Sequence, residues 1–270
     1  MELMERIVEG VPLQMSPQMA ERGIPHAFTT RLGGVSEGIF SSLNLGGSRG
    51  DDPAKVRENY RRVCAALGVD REKLVFSSQV HGDAVRPVTL ADAGKGLDRP
   101  VDYDADGLIT DAPGITLTVF GADCLTILLC DPVKRVIAAV HAGWRGTALG
   151  IAARAAEAMI RDYGCRGEDI LAALGPCISM CCFETGEDVP QAMTAALGKA
   201  ALPYIKEQGG GKYKVDLKGL NTLWLKESGI LTTNIDISPD CTLCRPDKYW
   251  SHRHTKGERG SQAALISLGK

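Results

Sequence analysis

Apolar residues recur at helical spacing in three stretches of the chain. The clearest stretch runs from Asp51 to Leu67, where Asp51 or Asp52 can cap the first turn and Pro53 suits its first position. Its apolar residues fall three or four positions apart, so they share one face of a helix. They are Val56, Tyr60, Val63 and Leu67. The runs from Ala148 to Tyr163 and from Leu217 to Glu227 predict two further helices.

Short apolar runs rich in β-branched residues predict strands between these helices. The predicted strands are Leu74 to Val80, Ile115 to Phe120, Leu125 to Cys130, Val136 to His141 and Ile170 to Leu174. Because strands and helices alternate along the chain, the pattern indicates an α/β or α+β protein in which helices pack on sheets. The order of strands within a sheet does not follow from this pattern.

The composition is that of an ordinary globular protein. Of the 270 residues 44% are hydrophobic and 24% are charged, and no Pro- or Ser-rich linker divides the chain, so we predict one domain over residues 1–270. A net charge of −2 and an aromatic content of 5% give no case for a nucleic-acid or membrane partner. The N-terminus lacks a basic region before an apolar run, and Gly121 and Asp123 interrupt the apolar stretch from Ile115 to Leu129. We therefore expect a cytoplasmic protein, either a monomer or a homodimer.

Side chains that bind metals stand at three predicted strand ends. His81, Cys124 and His141 each follow a run that we expect in the core. Two imidazoles and one thiolate suit Zn²⁺, and three protein ligands leave the fourth tetrahedral position open, which is typical of a catalytic zinc. Such a zinc lowers the pKa of its bound water to about 7. Spacing alone leaves an alternative, in which both histidines are hydrogen-bonded core residues and Cys124 is a small buried hydrophobe.

A glycine-rich turn follows the strand that ends at His141. The segment Gly143-Trp144-Arg145-Gly146-Thr147 leads into the helix predicted from Ala148. Backbone N–H groups at a helix N-terminus, beginning after Gly146, and the Arg145 guanidinium would form a site for phosphate or carboxylate. The alternative is an ordinary tight turn with Thr147 as the helix cap.

A Cys-x-x-Cys pair lies near the C-terminus. Cys241 and Cys244 precede His252 and His254, and together these four residues suggest either a second, structural zinc site or a redox pair. Arg253, between the two histidines, either faces phosphate or is solvated. Nine cysteines without a secretory signal are expected to be thiols or metal ligands before they are disulfides.

A further group of thiols follows Gly175-Pro176. Cys177, Cys181 and Cys182 would be nucleophilic if one of them were paired with a histidine. Packing of small buried thiols explains the same residues without any chemistry.

Five separated motifs carry a family resemblance. They are Gln79-Val80-His81-Gly82, the run from Asp104 to Thr110, Ala122-Asp123-Cys124, the run from Val140 to Gly146, and Gly175-Pro176-Cys177-Ile178. Asn44-Leu45-Gly46 and Cys241-Thr242 also fit. In order and residue type these motifs resemble the YfiH-like family, long described as a multicopper polyphenol oxidase or laccase domain. The resemblance extends from about Pro25 to the C-terminus.

The resemblance implies a fold and a reaction. The fold would be α+β, an αββα layered sandwich of mixed sheets flanked by helices. The family is associated with phosphorolysis of adenosine, inosine, guanosine and 5′-methylthioadenosine to the base and a ribose 1-phosphate, and with deamination of adenosine. The substrates would therefore be purine nucleosides and phosphate.

The resemblance also implies roles for particular residues. The positions matching His81, Cys124 and His141 form the metal-binding catalytic centre. Asp123 is our candidate for moving protons, with Asp106 as the other choice. The candidates for binding substrate or phosphate are Arg145, Gly146, Asn44 and Arg253. The family's usual Thr-Gly-Arg appears here as Lys256-Gly257-Glu258-Arg259-Gly260, which leaves the role of Arg259 open.

Three other functions stay open at this point. Copper oxidase chemistry fits a His-His-Cys set, but a multicopper centre needs more imidazoles than His26, His252 and His254 supply. Some bacterial relatives edit a peptidoglycan precursor by cleaving an amide, and a zinc centre would serve that reaction too. A binding module with a purely structural zinc would normally close its site with a fourth ligand.

Overall fold

Residues 1–269 are described by a computed structural model, in which they form fifteen strands and seven α-helices. The strands are β1 (Met4–Val8), β2 (Val11–Met15), β3 (His26–Thr29), β4 (Leu74–Val75), β5 (Val85–Pro87), β6 (Gly107–Thr110), β7 (Thr116–Gly121), β8 (Leu125–Asp131), β9 (Val136–Ala142), β10 (Leu171–Leu174), β11 (Glu184–Thr185), β12 (Ile205–Gly209), β13 (Lys212–Val215), β14 (Ile235–Ile237) and β15 (Gln262–Ser267). The helices are α1 (Pro17–Glu21), α2 (Pro53–Leu67), α3 (Trp144–Ala148), α4 (Ile151–Tyr163), α5 (Asp188–Leu197), α6 (Leu217–Glu227) and α7 (His252–Thr255).

Two six-stranded mixed sheets form the centre of the fold. The first has the order β1-β2-β3-β15-β7-β4 and the second has the order β14-β10-β8-β9-β6-β5. Strands β8 and β9 pair antiparallel at the middle of the second sheet, from Leu125 opposite Ala142 to Asp131 opposite Val136. A small third sheet has the order β11-β13-β12 and packs against α5.

The apolar residues of the central strands alternate between two layers. Leu128 and Ile137 point between the two sheets and pack with residues of β7 and β15. Ile127 and Val140 point to the opposite face, where α4 covers the second sheet. Helix α2 covers the outer face of the first sheet with Val56, Tyr60 and Val63. Helices therefore cover both outer faces, and the expected αββα sandwich is confirmed.

Several predicted elements are confirmed with small shifts. Helix α2 begins at Pro53, because the Asp52 carboxylate accepts a hydrogen bond from the backbone N–H of Ala54 and caps the first turn. It ends at Leu67, before Gly68 in the left-handed conformation. Helix α6 spans the predicted residues, and the strands predicted around β7, β8, β9 and β10 differ by one residue at their ends.

Two predictions were wrong in extent. The helix predicted from Ala148 is split, because Gly150 adopts φ 73° and separates the five-residue α3 from α4. The strand predicted over Leu74 to Val80 is regular only at Leu74–Val75, and after it Ser78 forms an isolated bridge with Asp104. Beyond it, the N–H of Val80 binds a buried side-chain carboxylate in place of a neighbouring strand.

Every helix within residues 1–269 is too short or too polar to cross a membrane.

Candidate metal centre

The pairing of β8 with β9 brings two of the predicted ligands together. Thr126 lies opposite His141, so Cys124, just before β8, is close to the end of β9. His81 approaches from the loop after β4. The ligand atoms of His81, Cys124 and His141 all lie within 4.8 Å of one another, and Cys124 Sγ is 3.9 Å from His81 Nε2. The three residues that sequence analysis grouped are thus neighbours in space.

Asp106 holds both histidines in place from behind. Its buried carboxylate accepts a 2.7 Å hydrogen bond from His141 Nδ1, which directs Nε2 of that ring toward the cluster. The same carboxylate accepts the backbone N–H groups of Val80, His81 and Gly82 at 2.8–3.0 Å. One side chain therefore orients a ligand on β9 and shapes the loop that carries another ligand. Carboxylates commonly bind the second nitrogen of a metal-ligating histidine in this way.

The backbone of the cluster is in an unfavourable conformation at two residues. His81 has φ 62° and Asp123 has φ 86°, both in the left-handed region that is unfavourable for residues other than glycine. At Gly143 an added Cβ would lie 2.9 Å from His81 Cδ2 and 3.2 Å from Cys124 Sγ. The glycine is therefore required for the close approach of the two ligands to the start of α3.

Asp123 uses both carboxylate oxygens within the protein. Oδ1 accepts a 2.6 Å hydrogen bond from the Thr242 hydroxyl, and Oδ2 accepts the backbone N–H of Arg253 at 2.7 Å. These contacts hold Asp123 in its unusual conformation next to Cys124. Neither Asp123 nor Asp106 lines the cavity that opens onto the cluster. Both carboxylates therefore position neighbouring groups of the protein.

The charges within the cluster favour a thiolate. Burial alone raises the pKa of the Cys124 thiol, but the neighbouring His141 and His81 side chains outweigh burial and lower it to about 6. Burial lowers the pKa of His141, whereas its bonds to Asp106 and Cys124 raise it to about 9. In protein without metal, Cys124 is therefore a thiolate beside an imidazolium at neutral pH, and the deprotonated sulfur is the form that binds metals.

A cavity of about 610 Å³ opens onto the cluster, within the range of small-molecule sites. Its wall includes three arginines, Arg49, Arg57 and Arg259, and two phenylalanines, Phe76 and Phe120. Among residues 1–269 none of these arginines forms an ion pair with a carboxylate. The lining of the cavity consequently combines positive charge with aromatic rings.

Arg259 is the most buried of the three arginines, with 9% of its surface exposed. One terminal nitrogen donates to the Gly260 carbonyl and the Ser261 hydroxyl, while Nε is buried with no hydrogen-bond partner in the described chain. Burial, followed by the nearby Arg49 charge, lowers its pKa to about 10. A buried guanidinium without a counter-ion is costly unless an anion binds to it. Sequence analysis left the role of Arg259 open, and no local pattern in the sequence indicated its place in the cavity.

The other sequence candidates for phosphate binding lie elsewhere. Arg145 is exposed and stacks on the Trp144 ring at 4.3 Å, and Gly146 is buried inside α3 rather than before a helix. Arg253 is exposed and binds the Glu184 carbonyl. None of these three residues lines the cavity.

Asn44 lies behind the cavity wall and holds two of the residues that form it. Its side-chain oxygen accepts the N–H groups of Gly46 and Ser261, and both of those residues line the cavity. Its side-chain nitrogen donates to Asp51. Asn44 is itself fully buried, so the structure places it one layer behind the surface that a ligand would touch.

The grouping of the remaining cysteines differs from the sequence prediction. Cys241 and Cys244 come together with Cys181 and Cys182, and within residues 1–269 neither His252 nor His254 belongs to a metal-ligand group. Sequence spacing missed this cluster because its two halves are about sixty residues apart.

Comparison with known proteins agrees with the fold. The family model described as "Multi-copper polyphenol oxidoreductase laccase" matches residues 25–269, and the chain belongs to this family. It is 39% identical over 260 residues to a purine nucleoside phosphorylase of Deinococcus radiodurans, covering 96% of this chain and 94% of that protein. The crystal structure of the Bacillus licheniformis hypothetical protein YfiH superposes with a TM-score of 0.93 at 32% identity, covering 98% of both chains.

A mammalian relative is longer than this chain. The purine nucleoside phosphorylase LACC1 of Mus musculus is 36% identical over 250 residues, which are 90% of this chain and 55% of that protein. The chain thus spans about half the length of this relative, and nearly all of the bacterial one. The resemblance to the YfiH-like family that the motifs indicated is confirmed.

Proposed function

We propose that this protein is a zinc-dependent purine nucleoside phosphorylase of the cytoplasm. One observation carries the proposal: the three metal ligands face the same cavity as three arginines that form no ion pair with a carboxylate within residues 1–269. The names of the relatives at 36–39% identity point to the same reaction. A reducing compartment would keep the Cys124 ligand available as a thiol.

The residues of the cluster fit zinc. Tetrahedral zinc with ordinary bond lengths separates a nitrogen from a sulfur ligand by about 3.6 Å, and Cys124 Sγ lies 3.9 Å from His81 Nε2. The ligands would be His81, Cys124 and His141, with Asp106 fixing the orientation of His141. When bound there, zinc supplies a Lewis acid with one coordination position open to substrate or water.

Copper oxidase chemistry fits these residues less well. A multicopper oxidase needs further imidazoles for its oxygen-reducing cluster. His26 is buried in β3, and its ring nitrogens are hydrogen-bonded to the Ser16 N–H and the Ile24 carbonyl. The two histidines of α7 belong to no ligand group in the described chain.

Phosphate would bind at the arginines. Within residues 1–269 the Nε of Arg259 has no hydrogen-bond partner, and Arg49 is near enough to lower the pKa of Arg259. Two positive charges are therefore available to bind one anion. Arginine binds phosphate through paired hydrogen bonds. In phosphorolysis the C1′–N9 bond of the nucleoside breaks and a bond from phosphate oxygen to C1′ forms. Arg259 would hold the phosphate and stabilise its charge during that exchange.

The purine would lie against the aromatic wall. Phe76 and Phe120 pack edge to face with ring centroids 5.1 Å apart, and both line the cavity. Phe120 is half-buried and leaves part of its ring for stacking. Gln79 lines the same wall, but its amide is bonded to the backbone of Phe120, so it positions that ring. We propose the substrates adenosine, inosine, guanosine and 5′-methylthioadenosine.

The test is chromatography of products from metal-quantified protein incubated with each nucleoside, with and without phosphate. We expect phosphate-dependent release of free base and ribose 1-phosphate, lost in Cys124→Ala. Cys165→Ala is the matched control, because that buried thiol lies outside both cysteine-containing ligand groups. Conversion of adenosine to inosine and ammonia without phosphate would establish the deaminase activity that we propose as a second reaction of the same centre. Base release that does not respond to phosphate would overturn the phosphorylase assignment.

A second candidate, amide hydrolysis as in peptidoglycan-precursor editing, is favoured by one observation. Asp106, His141 and Cys124 form a continuous chain of contacts, the arrangement of a thiol nucleophile with its base and orienting acid. His81 has no place in such a triad, whereas a metal needs it. His81→Ala should therefore remove activity if the centre binds metal and preserve most of it if Cys124 is the nucleophile.

A further inference from the structure

The second thiol cluster, formed by Cys181, Cys182, Cys241 and Cys244, lies outside the cavity. We propose that these four cysteines bind one tetrahedral zinc ion in a closed, structural site. The proposal rests on the geometry of the thiols alone and does not depend on the reaction proposed above.

The fold joins two distant segments to form this cluster. Cys177 and Cys241 form a parallel β-bridge, and the N–H of Thr242 donates to the Cys177 carbonyl at 3.0 Å. A tight turn then carries Cys182 back, since its N–H donates to the Ser179 carbonyl. Each segment therefore contributes two sulfurs, Cys181 and Cys182 from one turn and the Cys-x-x-Cys pair from the other.

The distances between the sulfurs match one metal ion. Four thiolates at about 2.3 Å from a tetrahedral zinc lie about 3.8 Å from one another. The measured Sγ separations are 3.7 Å for Cys181 to Cys182, 3.7 Å for Cys181 to Cys244 and 3.3 Å for Cys182 to Cys244. All four sulfurs lie within 4.8 Å of one another. A disulfide requires about 2.05 Å, so these distances describe separate sulfurs around a common centre.

The surroundings of the sulfurs also favour a metal over packing. Cys181 and Cys244 are exposed and Cys182 is half-buried, whereas cysteines that serve as small hydrophobes are buried. Cys241 is the buried member, and its sulfur accepts a hydrogen bond from the Ser179 N–H at 3.4 Å. Backbone N–H groups of Leu243 and Cys244 also point to it. Such N–H donors stabilise a thiolate, the form that binds zinc.

The site would fasten the backbone that supports the cluster of His81, Cys124 and His141, which we call the catalytic cluster after its proposed role. Thr242, next to the ligand Cys241, donates to the carboxylate of Asp123, which precedes Cys124. The N–H of Ile178, in the other segment, donates to the Asp123 carbonyl at 2.9 Å. Both segments joined by the proposed zinc therefore hold Asp123 in its left-handed conformation.

The experiment begins with elemental analysis and native mass spectrometry of the full-length wild-type protein purified without added metal. Cys244→Ser is the test variant, because its side chain is exposed, and Cys177→Ala is the control, because it removes a thiol of the other segment that belongs to neither ligand group. We expect the wild type and Cys177→Ala to carry one more zinc per chain than Cys244→Ser. Loading with Co²⁺ alone should give the wild type a strong thiolate-to-cobalt absorption, which should fall sharply in Cys244→Ser and only slightly in Cys124→Ala, because the second cluster holds four thiols and the first holds one.

Two results would overturn the proposal, and each has a direct readout. One is an unchanged zinc content in folded Cys244→Ser, with folding checked by circular dichroism. The other uses the wild type alone, alkylated under denaturing, non-reducing conditions. If two of the four cysteines then prove to be joined by a disulfide, and denaturation releases no zinc, the proposal is wrong. The second measurement needs no variant, so a failure of Cys244→Ser to fold would leave the test intact.

Discussion

The catalytic cluster and the four-cysteine cluster both bring metal-binding side chains within 4.8 Å, yet they differ in almost every other respect. The catalytic cluster has two imidazoles and one thiol, opens onto a large cavity and has a buried carboxylate behind it. The four-cysteine cluster has only thiols, lies near the surface and is supported by backbone N–H groups. Three ligands leave a coordination position for chemistry, whereas four ligands fill the sphere and serve the fold.

The two clusters are also held in place by different kinds of contact. Asp106 is a single buried group that orients a ligand and a loop together, so the geometry of the catalytic cluster depends on one carboxylate. The four-cysteine cluster depends on two short turns joined by a β-bridge. Damage to the first should appear in chemistry, and damage to the second should appear in stability.

The largest expected difference comes from removing one ligand of each cluster. Cys124→Ala should lower turnover by at least about 10³-fold, because the metal contributes several kcal/mol of transition-state stabilisation. Cys244→Ser should keep the chemistry but lower the midpoint of thermal unfolding by about 5–10 °C, the effect of losing a few kcal/mol in a chain of this size. Steady-state kinetics and calorimetry on both variants would measure the two effects. The reverse pattern would mean that the roles of the two clusters are exchanged.

The next effect concerns the carboxylate behind the histidines. Asp106→Asn should weaken metal binding at the catalytic cluster by about 10–100-fold, as expected when the partner of a metal-ligating histidine is replaced. Competition with a chromophoric chelator would measure the affinity, and the four-cysteine cluster serves as the internal reference because its affinity should not change. Equal weakening at both clusters would indicate general unfolding in place of lost orientation.

A smaller effect should distinguish the two candidate phosphate sites. Arg259→Gln should raise the KM for phosphate by at least about tenfold, since a hydrogen bond to a charged group contributes roughly 1.5–3 kcal/mol. The KM for nucleoside should change much less. Arg145→Ala is the matched variant at the start of α3, and the structure predicts less than about twofold change there. A large phosphate effect in Arg145→Ala alone would move the phosphate site to the turn after β9.

The smallest effect is a displaced pH profile in protein stripped of metal. Because the histidines lower the pKa of Cys124 to about 6, its alkylation by iodoacetamide should rise through pH 6 and level off near neutrality. The reaction is lost as the pH falls below that value, since the thiol is then protonated. Mass spectrometry of the Cys124 peptide would follow the rate. A rate that keeps rising to pH 9 would show that the histidines do not activate this sulfur.

The fold was largely predictable from the sequence because its signals are local. The apolar spacing of α2 and α6 and the β-branched runs of β7, β8 and β9 depend on neighbouring residues, and the family motifs supplied the layer order. The split at Gly150 was missed because one glycine in a helical pattern is often tolerated. The early end of β4 was missed because the backbone after it bonds to residues distant in sequence: the N–H of Phe76 to the Lys95 carbonyl and the N–H of Val80 to the Asp106 carboxylate.

The candidate site was predictable only in part. The identities of His81, Cys124 and His141 followed from their residue types and from the motifs. The position of Arg259 in the cavity depends on β15 lying beside β7, which no local pattern reveals. The four-cysteine cluster likewise depends on the bridge between Cys177 and Cys241. The spacing of residues in a single sequence does not reveal contacts between distant segments.

On the proposed function, the catalytic cluster and the arginines serve one reaction between a nucleoside and phosphate. The measurement to make is inosine cleavage by zinc-loaded protein at increasing phosphate concentration, with hypoxanthine and ribose 1-phosphate counted separately. We expect equal amounts of the two products, saturation by phosphate, and a higher phosphate requirement in Arg259→Gln. Hypoxanthine with free ribose, at a rate independent of phosphate, would contradict it.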